Sequence, residues 1–320
     1  MDANINQVKP NKKIMKQRQS VSDGKMPSFR IKHIKTWAQY QEVVTSPEFH
    51  SWAFRGQRDS RWQLESSISR LLKQYKIDPR AWEDQEKRVN RIFRRKASLF
   101  LNHIPPKDDD FQWLALMQHH GAPTRLLDFT WSPFVAAFFA LESATSSAAV
   151  WAVSVPQLWA EQISLGKRRK KVTISELSLK TPGNYEKVFL GSKIPFVAQG
   201  EPLDMNQRLV AQSGTFVVPS MLDRPADEII NTYEQPGSTL VKLIIDTEHV
   251  RDAAMYALYN MNVSYATLFP GLDGMSRSLA YELEHDWYRN PKTYETRPEW
   301  DGEHGHNAGV GRKKDSDVKD

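Results

Sequence analysis

The 320-residue chain contains no cysteine, which excludes disulfide bonds, thiolate metal ligands and cysteine nucleophiles. No apolar run approaches the length of a membrane span. The first residues lack the apolar core of a secretory signal, so we expect a cytoplasmic protein without a membrane partner. The HExxH, Walker, GxGxxG and Gly-x-Ser-x-Gly patterns are missing as well, and no spacing of side chains predicts a metal site.

Large aromatic side chains, in contrast, are plentiful. The chain has 10 Trp and 14 Phe within an apolar fraction of 40%, which is enough for the core of one large domain. We expect a single mixed α+β domain over residues 30–288, with a largely antiparallel sheet. The polar segments 1–28 and 290–320 show no periodicity and are expected to be disordered tails.

The net charge of +6 arises at the N-terminus, where residues 1–35 hold nine Lys and Arg against two Asp. A second basic run, KRRKK, occupies residues 167–171. A solvated basic surface is the simpler interpretation of both. The alternative is a non-catalytic module that binds nucleic acid or protein through its basic regions.

A long helix is predicted from Pro79 to His103, with Asp78 as its N-cap. Its inner face is expected to hold the apolar residues, among them Leu99 and Phe100. The helix also carries a cluster of basic residues, either a solvated face or a contact for an anion: Arg88, Arg91, Arg94, Arg95 and Lys96.

The densest stretch of polar and apolar residues is QHHGAPTRLLDFTWSPFVAAFFAL, residues 118–141. The helix expected at Phe134–Leu141 is apolar on nearly every side and should be buried. Burial of this helix carries the polar residues before it toward the interior, where each needs a partner. Such a segment builds either a pocket or a structural ion pair.

A strand is predicted at Trp52–Gln57, in which Gly56 leaves room for a ligand or for a second backbone. Arginine suits phosphate and carboxylate groups, and histidine moves protons near neutral pH. The candidate ligand-binding residues are Arg55, Gly56, Arg125 and Thr130. The candidate catalytic residues are His119, His120, Asp128 and Gln212. The structural alternatives are an ion pair between an arginine and a carboxylate such as Asp128, and histidines that stabilise a helix C-terminus.

Phe54-Arg55-Gly56 followed by residues 118–130 resembles the FRG domain, which is named after that tripeptide. The likeness continues through residues 131–141, 208–216 and 268–274, so it covers roughly residues 31–285. The family often occurs in bacterial and phage-linked proteins. The resemblance therefore implies a toxin or defence effector.

A second resemblance is to the ADP-ribosyltransferases. Arg55 looks like their first motif, residues 129–132 before the apolar helix look like the second, and residues 212–216 fall where the third belongs. That third segment has Gln212 and no Glu, although Glu201 and Asp204 lie nearby in sequence. The resemblance implies NAD as substrate, and the missing metal-ligand spacings predict no metal cofactor.

In this hypothesis Arg55 holds phosphate, and His119 or His120 bonds to ribose or moves a proton. Arg125 and Asp128 shape the pocket, and Gln212 orients the substrate. A nuclease-like hydrolase that uses the histidine pair is a third option. It is disfavoured because the sequence shows no carboxylate cluster for Mg²⁺.

Overall fold

The computed structural model describes residues 28–169, 178, 180–190, 194–284 and 293–295, with the side chains of 163–169 left out. The expected N-terminal tail lies outside the described residues except for its last residue. Of the expected C-terminal tail, only 293–295 are described, and the basic run at 167–171 has no described side chain.

The described residues form one seven-stranded mixed sheet. In spatial order its strands are β1 (Arg30–Ile34), β7 (Leu240–Ile245), β4 (Ala148–Ser154), β2 (Trp52–Gln57), β3 (Leu127–Thr130), β6 (Gly214–Pro219) and β5 (Val197–Gly200). β1 and β7 are parallel, and the other neighbouring strands are antiparallel. The expected α+β class with a largely antiparallel sheet is confirmed.

Both faces of the sheet are covered. Alternate residues of the central strands enter different apolar clusters: Phe54 and Val150 pack on one side, Ala53 and Trp151 on the other. A strand buried on both faces needs apolar residues at nearly every position. All seven residues of β4 are buried, and this requirement explains its nearly continuous apolar sequence, AAVWAVS.

The sheet is surrounded by helices, none of which, among the described residues, is long and apolar enough to cross a membrane. They are α1 (Trp37–Thr45), α2 (Ser67–Gln74), α3 (Trp82–Ala97), α4 (Asp110–His119), α5 (Pro133–Leu141), α6 (Val155–Arg169), α7 (Gln207–Ala211), α8 (Ala226–Ile230), α9 (Pro236–Thr239), α10 (Thr247–Asn260), α11 (Tyr265–Leu268) and α12 (Leu272–Glu284).

Helix α5 is the buried apolar helix that the sequence predicts. The Ser132 hydroxyl accepts a hydrogen bond from the Val135 amide at 3.3 Å. Pro133 occupies the first helical position, where no amide hydrogen is needed. The helix backbone lies directly on β2, because a Cβ on Gly56 would be only 2.0 Å from the Ala136 carbonyl oxygen. The glycine is therefore explained by the approach of a second backbone.

Helix α3 differs from its prediction at its C-terminal end. The helix ends at Ala97. At its other end, the turn before it, Pro79–Ala81, is a 3-10 helix capped by Asp78. Leu99 and Phe100 were expected on the inner face, but they are 79% and 84% exposed. That expectation is wrong because the helical periodicity ends before these residues, so they no longer follow its inner face.

Arg125 is fully buried in an ion pair with Glu86 of α3. Its Nε donates to Glu86 Oε1 at 2.8 Å, its Nη2 donates to Oε2, and its Nη1 donates to the Ser220 carbonyl at 3.0 Å. The guanidinium also lies over the rings of Tyr185 and Phe189. Burial alone would lower the pKa of Arg125, but the Glu86 carboxylate raises it. The pair thus joins α3 to the end of β6.

We predict that Gly56→Ala strongly destabilises the fold. The added methyl group meets helix backbone, which cannot rotate away, so we expect a loss of about 1–3 kcal/mol or more in the free energy of unfolding. Urea denaturation measures it. Gly237→Ala is the matched control, because its Cβ would find its nearest atom at 3.4 Å. Equal stability of the two variants would contradict the close helix–strand contact.

We also predict that Arg125→Met lowers the free energy of unfolding by about 3–5 kcal/mol, because Glu86 is left buried without its partner. The double variant Arg125→Met/Glu86→Met should lose clearly less, since no unpaired charge remains. Arg80→Met breaks an exposed ion pair with Asp78 and should leave stability unchanged. Equal losses in the single and double variants would show that packing alone explains the effect.

Candidate functional site

A cavity of about 560 Å³ lies where strands β2 and β3 separate. β2 pairs with β4 along all six of its residues, but its register with β3 is limited to Phe54 opposite Thr130. Beyond this pair the Arg55 side chain spans the gap, and its Nη1 donates to the Asp128 carbonyl at 2.6 Å. Helix α5 contributes Phe139 to the same wall.

The lining of the cavity is rich in positive charge. Arg61 is held by Asp59, with Nη2 and Oδ2 2.7 Å apart. Within the described part of the chain, Arg58, Arg70 and Arg208 have no recorded ion-pair partner. The lining contains five arginines, Arg55, Arg58, Arg61, Arg70 and Arg208, against three carboxylates, Glu65, Asp128 and Glu142. Its electrostatics therefore favour an anion.

Arg55 retains an unused hydrogen-bond donor. Its buried Nε has no partner among the described residues, and its Nη1 is 3.9 Å from Asp128 Oδ2. Burial lowers the pKa of Arg55, and this effect is opposed by Asp128 and reinforced by Arg70. A buried donor without an acceptor is costly, so an anion that accepts from this Nε would be stabilising.

Aromatic rings form part of the cavity wall. Phe54, Phe129 and Phe139 line its interior, and Trp62 is 45% exposed. The Arg58 guanidinium carbon lies 5.4 Å from the centroid of the Trp62 ring. The cavity thus combines flat apolar surfaces with cations, as nucleotide-sized ligands require.

His119 does not line this cavity but lies in a smaller one, of about 30 Å³, beside it. The two cavities share Asp128, Arg208 and Gln212. Burial is the main cause that lowers the pKa of His119, and the neighbouring charges of His120 and Arg208 lower it further. His119 is therefore expected to be neutral at pH 7 and able to accept a proton.

Asp128 lies between the two cavities and has a fixed orientation. Its carboxylate lines both cavities, and its Oδ2 accepts a hydrogen bond from Gln118 Nε2 at 2.8 Å. Gln118 Oε1 in turn accepts from the Thr124 hydroxyl at 2.6 Å. This chain of bonds holds one carboxylate oxygen and leaves the residue exposed to solvent.

Thr130 and Gln212 both line the cavity, but much of their hydrogen-bonding capacity is used internally. The Thr130 hydroxyl donates to the Gln212 carbonyl at 2.7 Å and accepts from the Ser132 amide. Gln212 Nε2 donates to the Leu268 carbonyl at 3.0 Å. The side-chain oxygen of Gln212 has no recorded partner among the described residues. These two residues fix the junction between β3, α7 and α11.

Arg125 and His120 are not brought to the cavity. Arg125 is 0% exposed and forms an ion pair with Glu86. The structural alternative of an arginine–carboxylate ion pair therefore holds for Arg125, with Glu86 rather than Asp128 as the partner. His120 is exposed one residue beyond the end of α4, where its ring packs edge-on against His119. Their expected roles in ligand binding and catalysis have no geometric basis.

The two acidic residues considered near Gln212 also lie elsewhere. Glu201 accepts a hydrogen bond from Trp131 Nε1, and Asp204 bonds through its backbone to Gln112. The carboxylates of the cavity instead come from β3, the α5 C-terminus and the segment before α2. In the described part of the chain, no three His, Asp or Glu side chains are grouped to hold a metal ion.

Several lining residues were not predicted as ligands from the sequence. Arg58, Arg61 and Trp62 follow the strand Trp52–Gln57 directly, and Arg70 lies 15 residues after Arg55. The clustering of arginines around an aromatic residue just after the strand is visible in the sequence and indicates an anion-binding segment. Arg208, in contrast, is brought in from a distant segment, and only the fold reveals its place.

Most of the cavity lining falls in a segment that matches a known family. No curated protein and no solved structure matches the chain significantly. Residues 50–149 match the FRG domain. Among the described residues that line the cavity, all except Arg208 and Gln212 fall within this range. The segment that is similar to the FRG domain therefore contains most of the cavity lining.

Proposed function

We propose that the cavity binds a nucleotide through its phosphate groups. The observation that carries this proposal is the excess of arginine, together with the unpartnered Nε of Arg55. Guanidinium groups form short, paired hydrogen bonds with phosphate oxygens. Arg55 would hold one phosphate, with Arg70 and Arg208 available to the same polyanion.

The shape of the cavity supports a nucleotide over a simple inorganic anion. Its volume of about 560 Å³ is in the range of small-molecule sites, and Trp62 presents a ring on which a base can stack. An inorganic phosphate would leave these aromatic surfaces unused. The ligand class that uses both features contains at least one phosphate and one planar ring.

We extend the proposal to NAD as substrate, with transfer or hydrolysis of its ADP-ribose. The bond between the ribose C1′ and the nicotinamide nitrogen would break, and its electron pair would leave with neutral nicotinamide. The ribose then carries positive charge, which the Asp128 carboxylate stabilises at its place in the cavity. A water or acceptor oxygen forms the new bond to C1′, and its proton passes to His119 in the adjoining cavity.

The resemblance to the FRG and ADP-ribosyltransferase families supplies the biological part of this proposal. A toxin or defence effector that consumes NAD in the cytoplasm would fit it. The rival is a non-catalytic module that binds nucleic acid or protein through exposed basic residues. The two proposals differ in whether ligand binding depends on Arg55.

We predict that Arg55→Ala weakens NAD and ADP-ribose binding by about 10- to 100-fold, since it removes charge-assisted hydrogen bonds to phosphate. Isothermal titration of the purified chain measures the Kd. Arg80→Ala is the matched control, because Arg80 is exposed, pairs with Asp78 and does not line the cavity. Its affinity should equal that of the wild type.

Absence of binding by the wild type to NAD, ADP-ribose and ATP would refute the nucleotide proposal. Binding without release of nicotinamide would retain the nucleotide site and reject the proposed reaction. Binding of an oligonucleotide that is strongly salt-dependent and unchanged in Arg55→Ala would favour the rival module.

The pH dependence of nicotinamide release tests the role of His119. A lowered pKa keeps this base neutral to a lower pH, so the rate should fall on acidification only below the ordinary histidine value of about 6.5. His119→Gln should reduce the rate about 100-fold and remove this acid limb. His120→Gln is the control and should keep both. An unchanged acid limb in His119→Gln would assign the proton transfer to another group.

A further inference from the structure

Helix α3 presents a basic face to solvent. Arg94 is not part of it, because Arg94 pairs with Asp110 at 2.7 Å and lies over the Trp113 ring. The other basic residues are exposed and have no recorded ion-pair partner among the described residues. They are Lys87, Arg88, Arg91, Arg95 and Lys96, and we call them the basic face. At 1.5 Å per residue they extend along about 14 Å of the helix.

Three large apolar residues follow the basic face directly. Leu99, Phe100 and Ile104 are 79%, 84% and 50% exposed, and we call them the apolar tip. Contiguous exposed apolar residues commonly mark an interaction surface. Since these side chains have little cover in the described part of the chain, burial against another surface would be favourable.

The apolar tip is held by defined backbone contacts. The Leu99 amide donates to the Lys96 carbonyl at 3.1 Å, and the Phe100 amide donates to the Ala97 carbonyl at 2.9 Å. The far end of the loop is fixed by Arg94, whose Nη1 donates to the Lys107 carbonyl at 2.9 Å. The loop therefore displays its apolar side chains next to the basic face.

We propose that the basic face and the apolar tip dock on an anionic lipid surface. Such a surface supplies negative headgroups for the cations and, directly beneath them, an apolar layer for Leu99 and Phe100. A nucleic acid would satisfy the cations, but its phosphate backbone offers no apolar layer for leucine and isoleucine. The combination of the two features therefore favours lipid.

This inference is independent of the proposed nucleotide site. It needs no membrane-spanning helix, because the contact is peripheral. The expectation of a protein without a membrane partner rested on the missing apolar run, which does not bear on surface docking. The exposure of Leu99 and Phe100, contrary to the sequence prediction, is what separates this surface from an ordinary solvated helix face.

Co-sedimentation of the full chain with vesicles tests the proposal. We expect binding to phosphatidylcholine vesicles that contain about 30% phosphatidylglycerol, none to pure phosphatidylcholine, and a steep loss as NaCl rises from about 0.1 to 0.5 M. Arg91→Glu/Arg95→Glu should reduce the partition coefficient at least about 20-fold, at roughly fivefold for each cation lost. Phe100→Asp should reduce it about tenfold.

Two matched controls make the result specific. Lys35→Glu/Arg224→Glu changes the net charge equally at exposed sites elsewhere, and Leu283→Asp replaces an exposed apolar residue of α12. Both controls should bind as the wild type does. The proposal is overturned if the wild type does not bind anionic vesicles or if the controls lose as much binding as the test variants. Binding of an oligonucleotide, but not of vesicles, through Arg91 and Arg95 would also overturn it.

Discussion

The contact between helix α5 and strand β2 determines where the cavity lies. Because Gly56 has no side chain, the helix backbone rests on the strand, and Arg55 is held at the place where β2 and β3 part. The apolar sequence of α5 requires burial, and six of its nine residues are buried. The three residues Phe-Arg-Gly thus combine an apolar anchor, a cation and a close backbone contact in consecutive positions.

Two arginines near the sheet, Arg125 and Arg55, differ in how their charge is satisfied. Arg125 is paired with Glu86 away from water and joins structural elements. Arg55 lies only near a carboxylate, with its Nη1 3.9 Å from Asp128 Oδ2, and its Nε has no hydrogen-bond partner among the described residues. A buried pair mainly constrains the fold, whereas a cation with spare donors is available to a ligand. This difference separates a structural arginine, Arg125, from a candidate binding arginine, Arg55.

The sequence was sufficient to predict the fold class, the apolar helix and its Ser132-Pro133 start, because these depend on local patterns. It also placed Arg55, Asp128, Thr130 and Gln212 among the candidates, and these residues meet at one cavity. It could not separate Arg125 from Arg55, because the partner of Arg125 is Glu86, 39 residues earlier in the chain. Arg208 and the exposure of Phe100 likewise depend on tertiary packing, which periodicity does not report.

We propose above all that the cavity at the opening between β2 and β3 receives the phosphate groups of a nucleotide. A crystal structure of the chain with ADP-ribose tests it most directly. We expect a phosphate oxygen within hydrogen-bond distance of Arg55 Nε and a ring of the ligand against Trp62. A ligand bound elsewhere, or an Arg55 Nε that bonds only to protein or water in the presence of ligand, would contradict it.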